Sequence, residues 1–200
     1  MNKENKPIEI FTSLDLEMAQ PSKKIIQIGA VVGNIVTGEI LEKLSIIVNP
    51  KEQLTEFIIN LTGITQEDVN NGVTLEEAYL VLREMHLRHK SFTNTITWGG
   101  GDSKELLDQL GMDQEDKRWC FGRRWIDAKT LFVSWRFANG LQIQGGLKNA
   151  CNKIGVKFQG PAHRADLDAL NTFHAYRMML NKLLKSSITQ DQEARKELVP

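Results

Sequence analysis

The chain has 200 residues, and 25 Lys plus Arg balance 25 Asp plus Glu, so its formal net charge is zero. That length suits one domain, and 41% hydrophobic with 25% charged residues exclude a wholly disordered or fibrous chain. The balanced charge disfavours a protein that coats nucleic acid or membranes by charge alone. No apolar run approaches the roughly 20 residues that a membrane-spanning helix needs, so we expect no membrane partner.

Two features predict the compartment. The segment 1–7 is polar, with no apolar signal core behind it, and predicts a flexible N-terminus. Cys120 and Cys151 are too few for a disulfide framework and lack metal-ligand spacing. We therefore expect two buried thiols in a reducing compartment, and a cytoplasmic protein.

Three β-strands are predicted in the first quarter of the chain, each rich in β-branched and apolar residues. They cover 8–16, 24–36 and 40–48, and Thr37-Gly38 between the last two is a turn signal. The short connections between these strands predict an antiparallel meander.

The remainder of the chain alternates between strand and helix patterns. Thr74 and Glu77 form a capping box that opens a helix, and Asp127 can cap another. Polar residues at 187–200 predict a C-terminal tail beyond a folded domain of residues 8–186. An antiparallel run followed by this alternation predicts an α/β fold with a mixed sheet. Helices are predicted at 54–61, 74–88, 102–110, 127–137, 147–154 and 165–184, and further strands at 92–98 and 118–126.

Asp15 and Glu17 lie at the end of the first predicted strand. Residues two apart on a strand point to the same face, so both carboxylates can bind one cation. Carboxylates at the mouth of a buried strand repel each other unless a cation lies between them. The alternative is a pair of solvated carboxylates at the start of a loop.

Three further residues could act with this pair. Asp102 follows three glycines, and the alternative for it is a capping box with Glu105 at the start of a helix. Asp168 would project from an early turn of the longest helix, where it could also serve only as a favourable N-terminal charge. His163, with an unperturbed pKa of about 6.5, can accept a proton at neutral pH, or it could be a surface loop histidine.

Taken in order, these motifs resemble the DEDDh family of 3′-5′ exonucleases, over residues 8–182. Within that family the chain is similar to the oligoribonuclease and ERI-type exoribonuclease branches. It is also similar to polymerase proofreading exonucleases, but these usually carry Thr-Thr where this chain has Met18-Ala19, a departure from that branch. The motifs are Leu14-Asp-Leu-Glu-Met18, Trp98-Gly-Gly-Gly-Asp102 and His163-Arg-Ala-Asp-Leu-Asp-Ala169.

The resemblance implies a ribonuclease-H-like fold, with a five-stranded mixed sheet flanked by helices. It implies a catalytic role for His163 as the general base, and two Mg²⁺ or Mn²⁺ ions. The ions would be held by Asp15, Glu17 and Asp168, with Asp102 acting mostly through bound water. The substrate would be single-stranded RNA or DNA, and the product a nucleoside 5′-monophosphate released from the 3′ end. Protein partners stay open.

The resemblance also implies substrate contacts. Met18, and less strongly Ala19, would meet the terminal 3′-OH and base, and Ile64 would pack on that base. Trp98 could stack on a base or pack in the core. Arg164 could meet a phosphate or be a solvated loop arginine.

Two other functions stay open. A nuclease fold without activity could serve as a nucleic-acid-binding module, although such a copy has no physical reason to keep like charges crowded together. Alternatively, the same site could hydrolyse small or cyclic oligonucleotides, because a single domain without an added nucleic-acid-binding module is compatible with short substrates.

Overall fold

A computed structural model describes residues 8–142 and 145–197, with side chains up to residue 184. Its strands are β1 Ile10–Met18, β2 Ile25–Asn34, β3 Ile40–Ile47, β4 Ile96–Thr97 and β5 Ile126–Asp127. They form one mixed sheet in the order β3-β2-β1-β4-β5, with β1 at its centre. The first three strands are antiparallel, whereas β4 runs parallel to β1 and β5 parallel to β4. The predicted α/β fold with a five-stranded mixed sheet is therefore confirmed, while segment 1–7 lies outside the described residues.

The antiparallel meander of β1, β2 and β3 follows directly from the hydrophobic pattern. Every residue of β2 up to Gly33 is buried, because helices cover both faces of the sheet at this strand. Ile28 and Ala30 belong to the core on one face, and Val31 belongs to the core on the other. β3 is an edge strand, and most of it alternates between partly buried and exposed residues.

The two later strands are much shorter than predicted. The predicted strand 92–98 contributes only two ladder residues in β4, although the amide of Phe92 still donates to the carbonyl of Ile10 at 2.8 Å. The predicted strand 118–126 is mostly a loop whose aromatic rings pack in the core. Trp119 stacks between Tyr79 and Trp125, with ring centroids 6.0 Å apart on each side. The aromatic residues that favoured a strand serve core packing instead.

Seven helices complete the described residues. A short helix over Gln66–Asn70 was not predicted, although Thr65 and Asp68 form its capping box. The predicted caps Thr74 and Asp127 are confirmed for the helices that begin at Leu75 and Ala128. No described helix combines the length and apolar character that crossing a membrane requires. The helices are α1 Glu56–Thr62, α2 Gln66–Asn70, α3 Leu75–Arg88, α4 Asp102–Gln109, α5 Ala128–Ala138, α6 Leu147–Ile154 and α7 Ala165–Glu197.

Helix α7 continues to Glu197, well past the predicted end at residue 184. The added residues include Gln, Glu, Ala, Arg and Lys, which are good helix formers, so the helix needs no apolar pattern to continue. The predicted tail 187–200 is therefore helical up to residue 197, and residues 198–200 lie outside the described chain. The division into a domain of residues 8–186 and a tail stays a prediction.

The N-terminus of α7 lies against the backbone of β2. A Cβ atom on Gly29 would meet the carbonyl carbon of Ala165 at 1.9 Å, so only glycine fits at this position. The fully buried Gln27 accepts a hydrogen bond from the Ala165 amide at 3.0 Å. It also donates to Asp166 at 3.3 Å and to Ser45 at 3.0 Å. These contacts set where α7 begins relative to the sheet.

We expect Gly29→Ala to destabilise the protein, because the added methyl group collides with backbone atoms that cannot turn away. Overpacking of this kind costs about 1–3 kcal/mol in free energy of unfolding. Urea denaturation of the variant measures the loss. Gly100→Ala is the matched control, since a Cβ there meets nothing within 4 Å. Equal midpoints for both variants would show that α7 does not depend on this contact.

Candidate active site

The side chains of Asp15 and Glu17 project from the C-terminal half of β1 on the same face of the sheet. They pair across the ladder with Gly29 and Gln27 of β2, the two residues that dock α7. Glu17 is 9% exposed, and Asp15 lies partly exposed in the wall of a cavity. The strand register therefore brings this carboxylate pair to the place where α7 starts.

His163 lies in the loop before α7, and Asp168 lies in the first turn of α7. Both residues line the same cavity as Asp15 and Glu17. One carboxylate oxygen of Asp168, Oδ2, accepts a hydrogen bond from the His163 amide at 2.8 Å. The backbone at His163 is left-handed, with φ of 63°, and the side chain is exposed. The other oxygen of Asp168, Oδ1, is buried with no hydrogen-bond partner. A buried carboxylate oxygen without a partner is the kind of atom that a metal ion would satisfy.

Glu17, His163 and Asp168 can offer ligand atoms that all lie within 4.8 Å of one another. With Asp15 beside them, the donor set is mostly carboxylate oxygen, which suits hard cations such as Mg²⁺ or Mn²⁺. The unsatisfied Oδ1 atom of Asp168 supports the same fit. These residues can hold a divalent cation, and their roles as metal ligands stay predictions.

A capping box would require Asp102 to be the N-cap residue of α4, and it is not. Gly101, with φ of 128°, is the N-cap of α4, and no side chain caps that helix. Asp102 is instead the first helical residue, so the capping alternative is wrong. Its carboxylate borders a cavity that Glu17 and His163 also line. The structure therefore brings the four predicted carboxylates and the histidine to one region.

Burial and mutual repulsion make this cluster electrostatically unfavourable without a cation. Burial, followed by the charge of Asp102, raises the pKa of Asp15 well above its usual range. Burial, followed by the charge of Asp168, raises the pKa of Glu17 to about 7, against a smaller lowering by Arg164. Burial raises the pKa of Asp102, and the negative charge of Glu105 adds to the shift, so that the pKa is about 7. Burial also raises the pKa of Asp168, although its hydrogen bond from the His163 backbone opposes the shift.

Two cavities flank the carboxylates, and Leu16, Glu17 and His163 line both of them. The large cavity has a volume of about 720 Å³ and runs from Asp15 toward α5 and α6. The small cavity, of about 490 Å³, runs from Met18 toward α1 and α4.

The residues predicted to contact the terminal nucleotide differ in how far the fold encloses their side chains. Met18 and Ala19 are among the residues that line the small cavity. Ile64 is a correction, because it is 2% exposed and packs in a core cluster with Ala19 and Ile58. A side chain enclosed in this way cannot pack on a base, and Leu61 borders the small cavity instead. Ala19 belongs to the same core cluster and is only 1% exposed, so its side chain is enclosed like that of Ile64, and the contact role of Met18 stays a prediction.

The structure shows the surroundings of Trp98 and Arg164, while their predicted contacts to a base and a phosphate stay predictions. Trp98 lines the large cavity, yet its ring also packs against Phe132 with centroids 5.9 Å apart. Its indole nitrogen is buried without a hydrogen-bond partner. Arg164 is 39% exposed, and its Nε lies 3.8 Å from Asp166, so its guanidinium is neither fully solvated nor in close contact with that carboxylate.

Four residues of the site region had not been singled out from the sequence. Gln27 and Gly29 occur in an apolar strand where only the three-dimensional contact with α7 reveals their role. Lys129 and Lys148 line the large cavity. Their sequence neighbourhoods are ordinary helix starts, so no local signal distinguishes these lysines from solvated ones.

Comparisons with known proteins identify the class. A family model described as "Exonuclease" matches residues 11–98, a span that contains Asp15 and Glu17. The 3′-5′ exonuclease Snipper of Drosophila melanogaster is 25% identical over 195 residues, covering 88% of this chain and 68% of that protein. A PolC-type DNA polymerase III of Mycoplasmopsis pulmonis is 44% identical over 171 residues, covering 85% of this chain. The chain spans only 11% of that polymerase's length.

The fold matches that of solved exonucleases. The nuclease domain of 3′hExo, a DEDDh family member solved with bound rAMP, superposes with a TM-score of 0.73 at 23% identity. The match covers 88% of this chain and 93% of that one. The fold is thus the ribonuclease-H-like exonuclease fold. The family model and the relatives show that the chain is similar in sequence to 3′-5′ exonucleases.

We expect the protein without divalent cations to lose stability as the pH rises from 5 to 8. The folded-state pKa values of Glu17 and Asp102, about 7, exceed the usual carboxylate values. Their contribution is fully present below the unfolded-state pKa, at about 4, and is lost as the pH passes 7. Thermal unfolding in EDTA at both pH values measures the loss, and added Mg²⁺ or Mn²⁺ should raise the melting temperature more at pH 8.

Glu17→Gln tests the cause of this pH dependence. The variant removes one of the repelling charges, so its melting temperature in EDTA should fall less between pH 5 and pH 8. Glu76→Gln, at an exposed position on α3, is the control and should behave like the unchanged protein. A loss that is the same in all three proteins would assign the pH dependence to groups outside this cluster.

Proposed function

We propose that the chain is a divalent-cation-dependent 3′→5′ exonuclease, hydrolysing single-stranded RNA or DNA to nucleoside 5′-monophosphates. The observation that carries the proposal is the grouping of Glu17, His163 and Asp168 within 4.8 Å, with one buried carboxylate oxygen left unpaired. Asp15 and Asp102 border the same region from β1 and α4.

Asp15, Glu17 and Asp168 would hold the divalent cations, and Asp102 would act through bound water. Bound cations would supply Lewis-acid activation of the attacking water and neutralise charge on the leaving 3′ oxygen. His163 accepts the proton of the attacking water, since its exposed ring lies within reach of the same carboxylates. The hydrogen bond from the His163 amide to Asp168 fixes the loop that carries this ring.

The small cavity is lined by apolar residues such as Met18 and Leu61 together with the polar residues Gln20 and Lys23, and its size suits a terminal nucleotide. Discrimination between RNA and DNA requires a contact to the 2′-OH, which backbone groups of this cavity could supply. The oligoribonuclease-like motif after Asp15 favours RNA or short oligonucleotides. Similarity to a DNA polymerase III supports DNA as the alternative substrate.

Two other functions are weighed against this proposal. A nucleic-acid-binding module without activity would gain nothing from raised carboxylate pKa values, so the intact cluster argues against it. Hydrolysis of small or cyclic oligonucleotides uses the same residues, and substrate length distinguishes it from exonuclease action on longer strands.

We expect labelled single-stranded oligonucleotides to be shortened from the 3′ end in Mg²⁺ or Mn²⁺, and blunt duplexes to be degraded slowly. Unpairing the last base costs a few kcal/mol in a duplex end. Time courses in both sugars, with free or blocked 3′ ends, measure this preference. Full activity in excess EDTA, or in Asp15→Asn, would refute the metal-dependent mechanism, and digestion from the 5′ end would refute the polarity.

We expect His163→Asn to lower turnover by about 10²–10⁴-fold, the usual contribution of a positioned general base. Asparagine tolerates the left-handed backbone at this position better than alanine does, so the loop should keep its course. Mn²⁺ affinity, measured by calorimetry, should be retained. Turnover should recover partly at higher pH because hydroxide becomes available. Full turnover at pH 7 would show that His163 is only a loop residue.

A further inference from the structure

The large cavity is lined by side chains of opposite charge. One wall carries the carboxylates, and the other carries Lys129 at the start of α5 and Lys148 at the start of α6. Within residues 8–142 and 145–184, neither lysine makes an ion pair with a carboxylate. Unpaired cations beside an acidic cluster create a place for an anion that bridges the cavity.

Lys129 is positioned by the turn between β5 and α5. Asp127 accepts hydrogen bonds from the amide of Lys129 at 2.9 Å and from the amide of Gly99 at 3.0 Å. These bonds join the end of β4 to the start of α5. The side chain of Lys129 lines the cavity, and its Cδ atom lies 3.8 Å from the place that a Cβ atom on Gly99 would occupy.

Lys148 is held by an aromatic ring. Its ammonium lies over the ring of Phe158, 5.9 Å from the centroid, in a cation–π arrangement. Asn152, one helical turn later, lines the same wall and adds an amide donor. This wall therefore offers cations and hydrogen-bond donors, which are the groups that contact phosphodiester oxygens.

The two cavities meet at Glu17 and His163, so a strand cleaved there must occupy both sides. The small cavity, lined by Met18 and Leu61 as well as by polar residues such as Gln20, has room for one terminal nucleoside. We propose that Lys129 and Lys148 bind the phosphodiester backbone of the nucleotides that precede the scissile bond. This inference rests on the proposed function, and it assigns the path and direction of the substrate strand through the site.

The two lysines then compensate locally for a surface that would otherwise repel the strand. The chain has no net charge, so it lacks a general attraction for nucleic acid. A small substrate without upstream phosphates would not reach either lysine. The lysines should thus affect substrates according to length, which a residue acting on the metal site would not do.

The test compares Lys129→Ala and Lys148→Ala on two substrates. One is a single-stranded octanucleotide, and the other is a p-nitrophenyl ester of a nucleoside 5′-monophosphate. Binding of the labelled octanucleotide is measured in Ca²⁺ by fluorescence anisotropy at several salt concentrations. Lys117→Ala is the control, because this exposed lysine lines a different cavity beside α3.

Each cavity variant should weaken octanucleotide binding about fivefold and reduce the salt slope by about 0.7, the loss of one phosphate contact on a single strand. KM for the octanucleotide should rise by a similar factor in each cavity variant, while the rate of p-nitrophenyl ester hydrolysis should not change. The control variant should match the unmodified protein on both substrates. Unchanged Kd and salt slope in both variants would overturn the inference, and so would equal losses on the two substrates.

Failure of the proposed function gives a different result. An unmodified protein that binds the octanucleotide but hydrolyses neither substrate would refute exonuclease activity. The Kd ratios of the two lysine variants would then still decide the path of the strand, since binding in Ca²⁺ does not depend on turnover.

Discussion

The site depends on one close backbone contact, between the start of α7 and the middle of β2. Gly29 leaves room for Ala165, and Gln27 accepts the hydrogen bond from the Ala165 amide. Because β2 pairs with β1 at these same positions, the contact places His163 and Asp168 beside Asp15 and Glu17. Residues about 150 positions apart in the chain become neighbours through this one interaction.

The contact between α7 and β2 brings several carboxylates together at a partly buried place, where their mutual repulsion is unfavourable. Asp102 and Asp168 each lie in the first turn of a helix, where the helix dipole offsets part of the repulsion. The offset is incomplete, since the pKa of Glu17 still rises to about 7. Carboxylates that repel one another in this way favour a bound cation between them, which is the basis of the metal site proposed above.

Much of this arrangement could be predicted. The order of Asp15, Glu17, Asp102, His163 and Asp168 was sufficient to predict the family, and alternation along β1 was sufficient to place the first pair on one face. The short β4 and β5 could not be predicted, because aromatic residues such as Trp119 have strand propensity but pack in the core. Propensity does not reveal which neighbour a ring will meet.

The sequence by itself determined the α/β class, the capped helices and the carboxylates that could act together, since these follow from local periodicity and residue chemistry. Only the tertiary structure decided that Ile64 is enclosed and that Asp102 is not a cap. It alone placed Lys129 and Lys148 opposite the carboxylates. Burial and distance between remote segments arise from how helices dock on the sheet, and a local pattern carries no record of that docking.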